Sequence, residues 1–228
     1  MIEWSISKKK TVSSTDLGKT IWRAAYSVHT NSFYVLYGKE KNAFIAGYKA
    51  PVNGTMQELP PIELPEIKGT CKQLRISQSG KVLGAIIGKS LLYTRLDKKP
   101  MVSRMEHEIT LISLALSPND TTIATGDFVG KLCFWHIGDE FTKSSYHWHS
   151  HTIECLEYNS DGAILYSGGH EGVLVLWHNN VNTRTFLPRL PSQLATLSTS
   201  SDGTLLSICL SNNTIKIIKY LLPESLSS

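Results

Sequence analysis

The chain has 228 residues, with 23 Lys or Arg against 19 Asp or Glu, a formal charge of +4 at pH 7 and a pI near 8.8. That balance is too mild to mark a nucleic-acid-binding protein by charge alone, while 41% hydrophobic and 18% charged residues exclude a disordered tail. No stretch approaches the roughly 18 uncharged apolar residues of a membrane helix, and the polar start ending in Lys8-Lys9-Lys10 is unlike a secretory signal peptide, so a soluble intracellular chain is expected.

Taken from the N-terminus, the candidate elements are short strands, and no helical period competes before a short turn predicted near Leu221 to Leu226. A loosely regular segment, Trp22 to Tyr48, comes first. Pro60-Pro61 and Pro65 follow as a stiff connection between units, not a domain boundary. Gln73 to Thr94 reads QLRISQSGKVLGAIIGKSLLYT, and Ser113 to Trp135 reads SLALSPNDTTIATGDFVGKLCFW. Moving on by 42 residues gives Cys155 to Trp177, CLEYNSDGAILYSGGHEGVLVLW, without a gap: Gly126 lands on Gly168, Gly130 on Gly172 and Trp135 on Trp177. Thr196 to Ile218 repeats the pattern at an offset of 41, and Gln73 to Thr94 fits at 40 with one residue deleted.

Each copy carries the same physical content. A run such as Leu114-Ala115-Leu116 or Leu156-Glu157-Tyr158 reads as a strand with one buried face. A tight turn follows, at Pro118-Asn119-Asp120, Ser160-Asp161-Gly162 or Ser201-Asp202-Gly203. A second strand and a Gly- or Asn-containing turn lead to a third strand rich in branched and aromatic residues, for example Val173 to Trp177. The residues between copies leave room for one exposed outer strand. Four short antiparallel strands every ~40–45 residues is the pattern of a WD-type β-propeller blade. The fold expected is therefore all-β, a WD-repeat β-propeller forming one partial domain over residues 1-228, with about five blades near 20-50, 70-96, 110-138, 152-180 and 194-220. The four cysteines, Cys71, Cys133, Cys155 and Cys209, are widely spaced within apolar runs and read as reduced core thiols.

The chain resembles the WD repeats in its bracing residues, although degenerately. In that family a blade is braced by a His ahead of the first strand, a Ser or Thr on the second, an acid six residues before the Trp, and the Trp itself. Here that implies His151, Ser167, Glu171 and Trp177 in one copy. The preceding copy keeps Thr125 and Trp135 but has Val129 at the acid position, and the last has Ile218 for Trp. At most one blade is therefore expected to hold the network intact. Propellers of four to eight blades exist, so a closed ring of five is one alternative; WD-repeat rings mostly have seven, and the resemblance implies that these five are an arc with an open sheet at each end.

Three segments narrow the resemblance. Tyr146-His147-Trp148-His149-Ser150-His151 precedes a blade, Ser167 to Trp177 reads SGGHEGVLVLW, and Phe186-Leu187-Pro188-Arg189-Leu190 begins nine residues after Trp177. In this combination the chain is similar to the WD repeat-containing protein 75 family. That resemblance implies a non-catalytic scaffold, part of the transcription-linked subcomplex of the small-subunit processome. It implies a nuclear and nucleolar location, pre-rRNA processing, support of RNA polymerase I transcription, and no cofactor, membrane or small-molecule substrate. Other processome WD-repeat subunits are the implied partners, with pre-rRNA met directly or through them. His147, Trp148, His149 and the Phe186–Leu190 segment are then the candidate partner contacts. A generic WD-repeat adaptor, such as a ubiquitin-ligase substrate receptor or a chromatin-associated protein, is the alternative.

Catalytic and metal chemistry find less support. His147, His149 and His151 alternate, which on a strand would place three imidazoles on one face and invite zinc, yet no Cys or acid is spaced to complete a site. His170-Glu171 can be read as an acid/base pair, but the blade's acid position accounts for Glu171. Ser167-Gly168-Gly169 lacks the strand-to-helix elbow of a nucleophilic serine. Lys8-Lys9-Lys10, Lys39, Lys41, Lys49, Lys98-Lys99, Arg184 and Arg189 are candidate phosphate contacts or solvated edges. Arg189 stands out because the Leu187-Pro188-Arg189-Leu190 segment is stiff. It serves either RNA or a hydrogen bond to the neighbouring blade.

Overall fold

Every described element of the computed structural model is a β-strand, and the description covers residues 2–219 apart from 6–9, 15, 19, 40–41, 53–54, 67–68, 139–140 and 180–182. The turn expected near Leu221 to Leu226 lies outside the described residues. An antiparallel pair, β1 (Ile2–Ser5) with β2 (Lys10–Ser14), comes first. Blade 1 joins β3 (Ile21–Ser27), β4 (Ser32–Lys39), β5 (Asn42–Val52) and β6 (Thr55–Glu58), and the short β7 (Ile62–Glu63) pairs back onto β5. Blade 2 is β8 (Cys71–Ile76), β9 (Val82–Ile87), β10 (Ser90–Arg95) and β11 (Ser103–Glu106). Blade 3 is β12 (Leu111–Leu116), β13 (Thr122–Asp127), β14 (Lys131–Ile137) and β15 (Phe141–His147). Blade 4 is β16 (Ile153–Tyr158), β17 (Ile164–Gly169), β18 (Leu174–His178) and β19 (Thr183–Phe186). Blade 5, among the described residues, is β20 (Leu194–Thr199), β21 (Leu205–Leu210) and β22 (Ile215–Lys219). These antiparallel sheets are WD-repeat β-propeller blades.

The first strands of the blades, β3, β8, β12, β16 and β20, pack against one another in chain order and form the inner wall. Each carries a register shift at its start, between Ile21 and Arg23, Cys71 and Gln73, Leu111 and Ser113, Ile153 and Cys155, or Leu194 and Thr196. A bulge at that point bends the strand and increases its twist, as a narrow inner wall requires. Side chains also stitch the wall together. Gln73 accepts the Leu114 amide at 2.8 Å, the Ser113 hydroxyl donates to the Ile153 carbonyl at 2.7 Å, and Thr199 donates to the Tyr158 carbonyl at 3.1 Å.

The core lies between blades rather than within them. Ile86, Leu111 and Ile123 meet Trp135 between blades 2 and 3, Leu132 and Phe134 meet Leu156 and Trp177 between blades 3 and 4, and Leu174 meets Leu194 and Ile208 between blades 4 and 5. Each such Leu or Ile, wholly removed from water, contributes about 1.5–3 kcal/mol. One-faced burial was expected only of the first strands; the second strands β9 and β17 are buried along their whole length. They have a blade on either side, so both faces are interior.

Candidate interaction surface on blades 3 to 5

The loop from β15 to β16 sets the geometry of the surface. It runs beneath the β13–β14 turn, where Gly130 (φ +91°) allows close approach: a Cβ there would stand 2.2 Å from the His149 carbonyl oxygen. The loop is not a strand, so the alternation expected for His147, His149 and His151 does not hold. His149 turns inward and is 2% exposed. Its Nδ1 faces the Glu171 carboxylate and its Nε2 lies 2.7 Å from the Ser167 hydroxyl, which accepts Trp177 Nε1–H at 2.8 Å. With Nδ1–H donating to Glu171, Nε2 is left to accept the Ser167 proton, and the chain of bonds closes. Burial pushes the Glu171 carboxyl up, but the hydrogen bond from His149 outweighs it and holds the group below the usual carboxylate range. His149, not the expected His151, is therefore the brace. His151 is exposed and bonded to the Ser150 hydroxyl at 2.9 Å.

Blade 3 holds a second network where only Thr125 and Trp135 were expected. Trp135 Nε1–H donates to Thr125 at 2.8 Å, and buried His107 donates from Nε2 to Asp127 at 3.0 Å. Lys143 lies 3.3 Å from His107 Nδ1 and 4.3 Å from the Trp135 ring centroid. The acid has moved two residues back from Val129, to the end of β13, and Asp127 also accepts the amides of Val129 and Lys131. Blade 3 thus brings two bonded pairs together, His107 with Asp127 and Thr125 with Trp135, whereas blade 4 links its four residues in one chain, in keeping with the single intact network expected. The 42-residue shift contained the signal, because it places His107 on His149.

Two of the three signature segments, Tyr146 to His151 and Phe186 to Leu190, meet at the rim although remote in sequence. Trp148, 53% exposed, packs on Phe186, 49% exposed, with ring centroids 6.0 Å apart. Beneath them the Arg184 guanidinium lies 4.6 Å from the Trp148 ring, 5.0 Å from Tyr146 and 5.1 Å from Trp177. Arg184 is thus held within an aromatic cage and is not a free phosphate contact. His147 donates to the Val129 carbonyl at 3.0 Å. Leu187 and Leu190 pack against the core of blades 4 and 5, and the Leu190 amide bonds Gly172 at 2.7 Å. Pro188 and Arg189 are exposed, and among the described residues no hydrogen bond ties Arg189 to blade 5.

The remaining candidates do not converge. The three imidazoles of residues 147–151 serve three separate partners, and no metal-binding group of His, Cys, Asp and Glu exists among the described residues. His170 pairs with Glu154 at 2.9 Å rather than with Glu171. Ser167 is buried with its hydroxyl engaged by the brace, and the adjoining glycines admit neighbours: a Cβ on Gly169 would lie 1.9 Å from the Thr152 carbonyl oxygen. Lys8, Lys9 and Lys41 lie outside the described residues.

Comparison with known proteins reaches the same part of the chain. The family model described as the WD repeat-containing protein 75 first beta-propeller matches residues 90–213. WD repeat-containing protein 75 of Danio rerio is 37% identical over 110 residues, covering 46% of this chain and 13% of that protein. Its Xenopus laevis counterpart is 36% identical over 109 residues, with 46% and 13% covered. U3 small nucleolar RNA-associated protein 17 of Schizosaccharomyces pombe is 33% identical over 120 residues, covering 50% of this chain and 14% of that protein. The matched segment thus spans about one-seventh of these relatives' length.

Proposed function

The chain belongs to the WD repeat-containing protein 75 family, through that family's first propeller, and on that premise we propose that it is a non-catalytic scaffold of ribosome biogenesis. Its place is the small-subunit processome, in nucleolar pre-rRNA processing, with other WD-repeat subunits as partners and pre-rRNA met directly or through them. Support of RNA polymerase I transcription is the finer part of the proposal and rests on the family resemblance. The observation that carries the reading is the meeting of these two signature segments in one exposed patch. Folding does not require Trp148 and Phe186 to be half exposed, and exposed aromatic pairs of this kind serve as contact sites. The scaffold role is further supported by the burial of the brace: Ser167 is 0% and His149 2% exposed, so neither faces a space that a substrate could enter. We also read the five blades as an arc of a larger ring, because Ile215 and Ile217 of β22 are 66% and 68% exposed on the side away from blade 4.

The test is purification of the tagged protein from nuclear extract, with and without Trp148→Ala and Phe186→Ala together. The native surface should recover pre-rRNA and processome WD-repeat subunits, and the double variant should lose some of them while melting as the parent does. Recovery of ubiquitin-ligase or chromatin components without pre-rRNA would overturn the reading.

A further inference from the structure

Blades 3 and 4 enclose a recess of about 520 Å3 on the side that carries the β12–β13 and β16–β17 turns. The residues chosen for the two halves of this gap differ in size. One half is filled by Tyr146, Trp148, Arg184 and Phe186, which stack on one another. The other is walled by Thr122, Ser144, Gly162, Ala163 and Thr183, too small to cross it, and by His136 and His178, whose rings are held by the Thr122 and Thr185 hydroxyls. Its floor is aromatic: Phe134, Tyr158 and Trp177 are each less than a tenth exposed. Packed interiors leave few voids larger than a water molecule, and ligand pockets of roughly 300–1,000 Å3 with apolar floors and a few polar groups are the usual binding cavities.

Charge selects among occupants. Arg184 is the one cation among the lining residues, and it is committed to its ring cage. The carboxylate at the mouth is Asp161, exposed, with Oδ1 accepting the Ala163 amide at 2.8 Å. A nucleic acid brings phosphates that need free Lys or Arg nearby and would meet Asp161 instead. A peptide has no such requirement, and its basic side chains are attracted to Asp161.

The geometry points to this recess as a docking site for an extended segment of a partner protein. The segment seats an apolar side chain on the Phe134–Tyr158–Trp177 floor and sets a neighbouring Lys or Arg against Asp161. This goes beyond the scaffold reading and does not depend on it, since any partner bearing such a segment would fit.

The test pans the purified protein against a display library of random short peptides and measures the affinity of a recovered peptide for variants. Recovered peptides should pair an apolar residue with an adjacent Lys or Arg. Ser144→Leu, which fills the recess, should weaken binding by more than about tenfold. Asp161→Asn keeps the turn bond but removes the charge, and should weaken binding about two- to fivefold, the range of an exposed ion pair. Asp202→Asn, at the matching turn of blade 5, should change nothing. Melting curves establish that the variants fold, and if Ser144→Leu melts early, exposed Asp161→Lys carries the test, with a loss at least as large as that of Asp161→Asn. Failure to recover any peptide, recovery of peptides without the basic residue, or affinity indifferent to the recess variants overturns the proposal. So does an RNA oligonucleotide whose binding Ser144→Leu abolishes.

Discussion

The His149 imidazole keeps neither nitrogen in water: Glu171 takes one and Ser167 the other, and Trp177 completes the set. Removing the ring leaves a buried hydroxyl and a nearly buried carboxylate each short of a partner, and such orphaned groups cost about 1–3 kcal/mol apiece. His149→Ala should therefore lower the urea midpoint sharply, while exposed His151→Ala should stay within about 0.5 kcal/mol. Equal losses for the two would return the brace to His151. Trp177→Ala, by emptying the centre of the blade 3–4 core, should cost about 3–5 kcal/mol. Glu171 adds a pH signature. Its native carboxyl titrates lower than the unfolded one, near pH 4.3, so its contribution is in place above that pH and is lost as pH falls through the lowered native value. Acid titration of stability should show this loss in the native protein and a flatter profile in Glu171→Gln.

At the scale of elements, the loops between blades matter as much as the strands. Gly130 seats the loop bearing His149, and alanine there adds a strained φ to a backbone clash at 2.2 Å, whereas a Cβ on Gly138 meets nothing within 4 Å. Gly130→Ala should thus lose more than about 1 kcal/mol, and Gly138→Ala should be near neutral, read from the same urea curves. Blades 3 and 4 were legible in the sequence because both turns and the aromatic third strand recur at a fixed spacing. Blade 1 was less so: its long β5 and the return of β7 carry no Gly or Trp landmark at the repeat positions. The brace was misplaced by two residues because the family pattern asks only for a His ahead of the first strand, and both His149 and His151 stand in that loop; the direction each ring takes is set by the fold. The meeting of Trp148 with Phe186 was not legible at all, since it depends on contacts between blades, such as Trp177 with Phe134 and Arg184 with Tyr146, that no local pattern announces.

For the molecule as a whole, the open question is what covers blade 5. By register, Cys209 lies opposite Ile215 and Ser207 opposite Ile217, so all four share the face turned from blade 4, while Leu206, Ile208 and Leu210 are buried against it. The other three thiols are interior, and burial pushes all three up, Cys71 to about 11. Because the thiolate is the reactive species, about one Cys71 thiol in a thousand is available at pH 8. In the chain of residues 1–228, native iodoacetamide treatment should therefore modify Cys209 well ahead of Cys71, Cys133 and Cys155, as read by peptide mass mapping. The arc reading adds a sharper expectation. In a longer polypeptide whose next blade packs on β20–β22, Cys209 should become as resistant as the other three. If it instead stays equally reactive, no blade covers that face, and the exposed Ile215 and Ile217 belong to a surface and not to the interior of a larger ring.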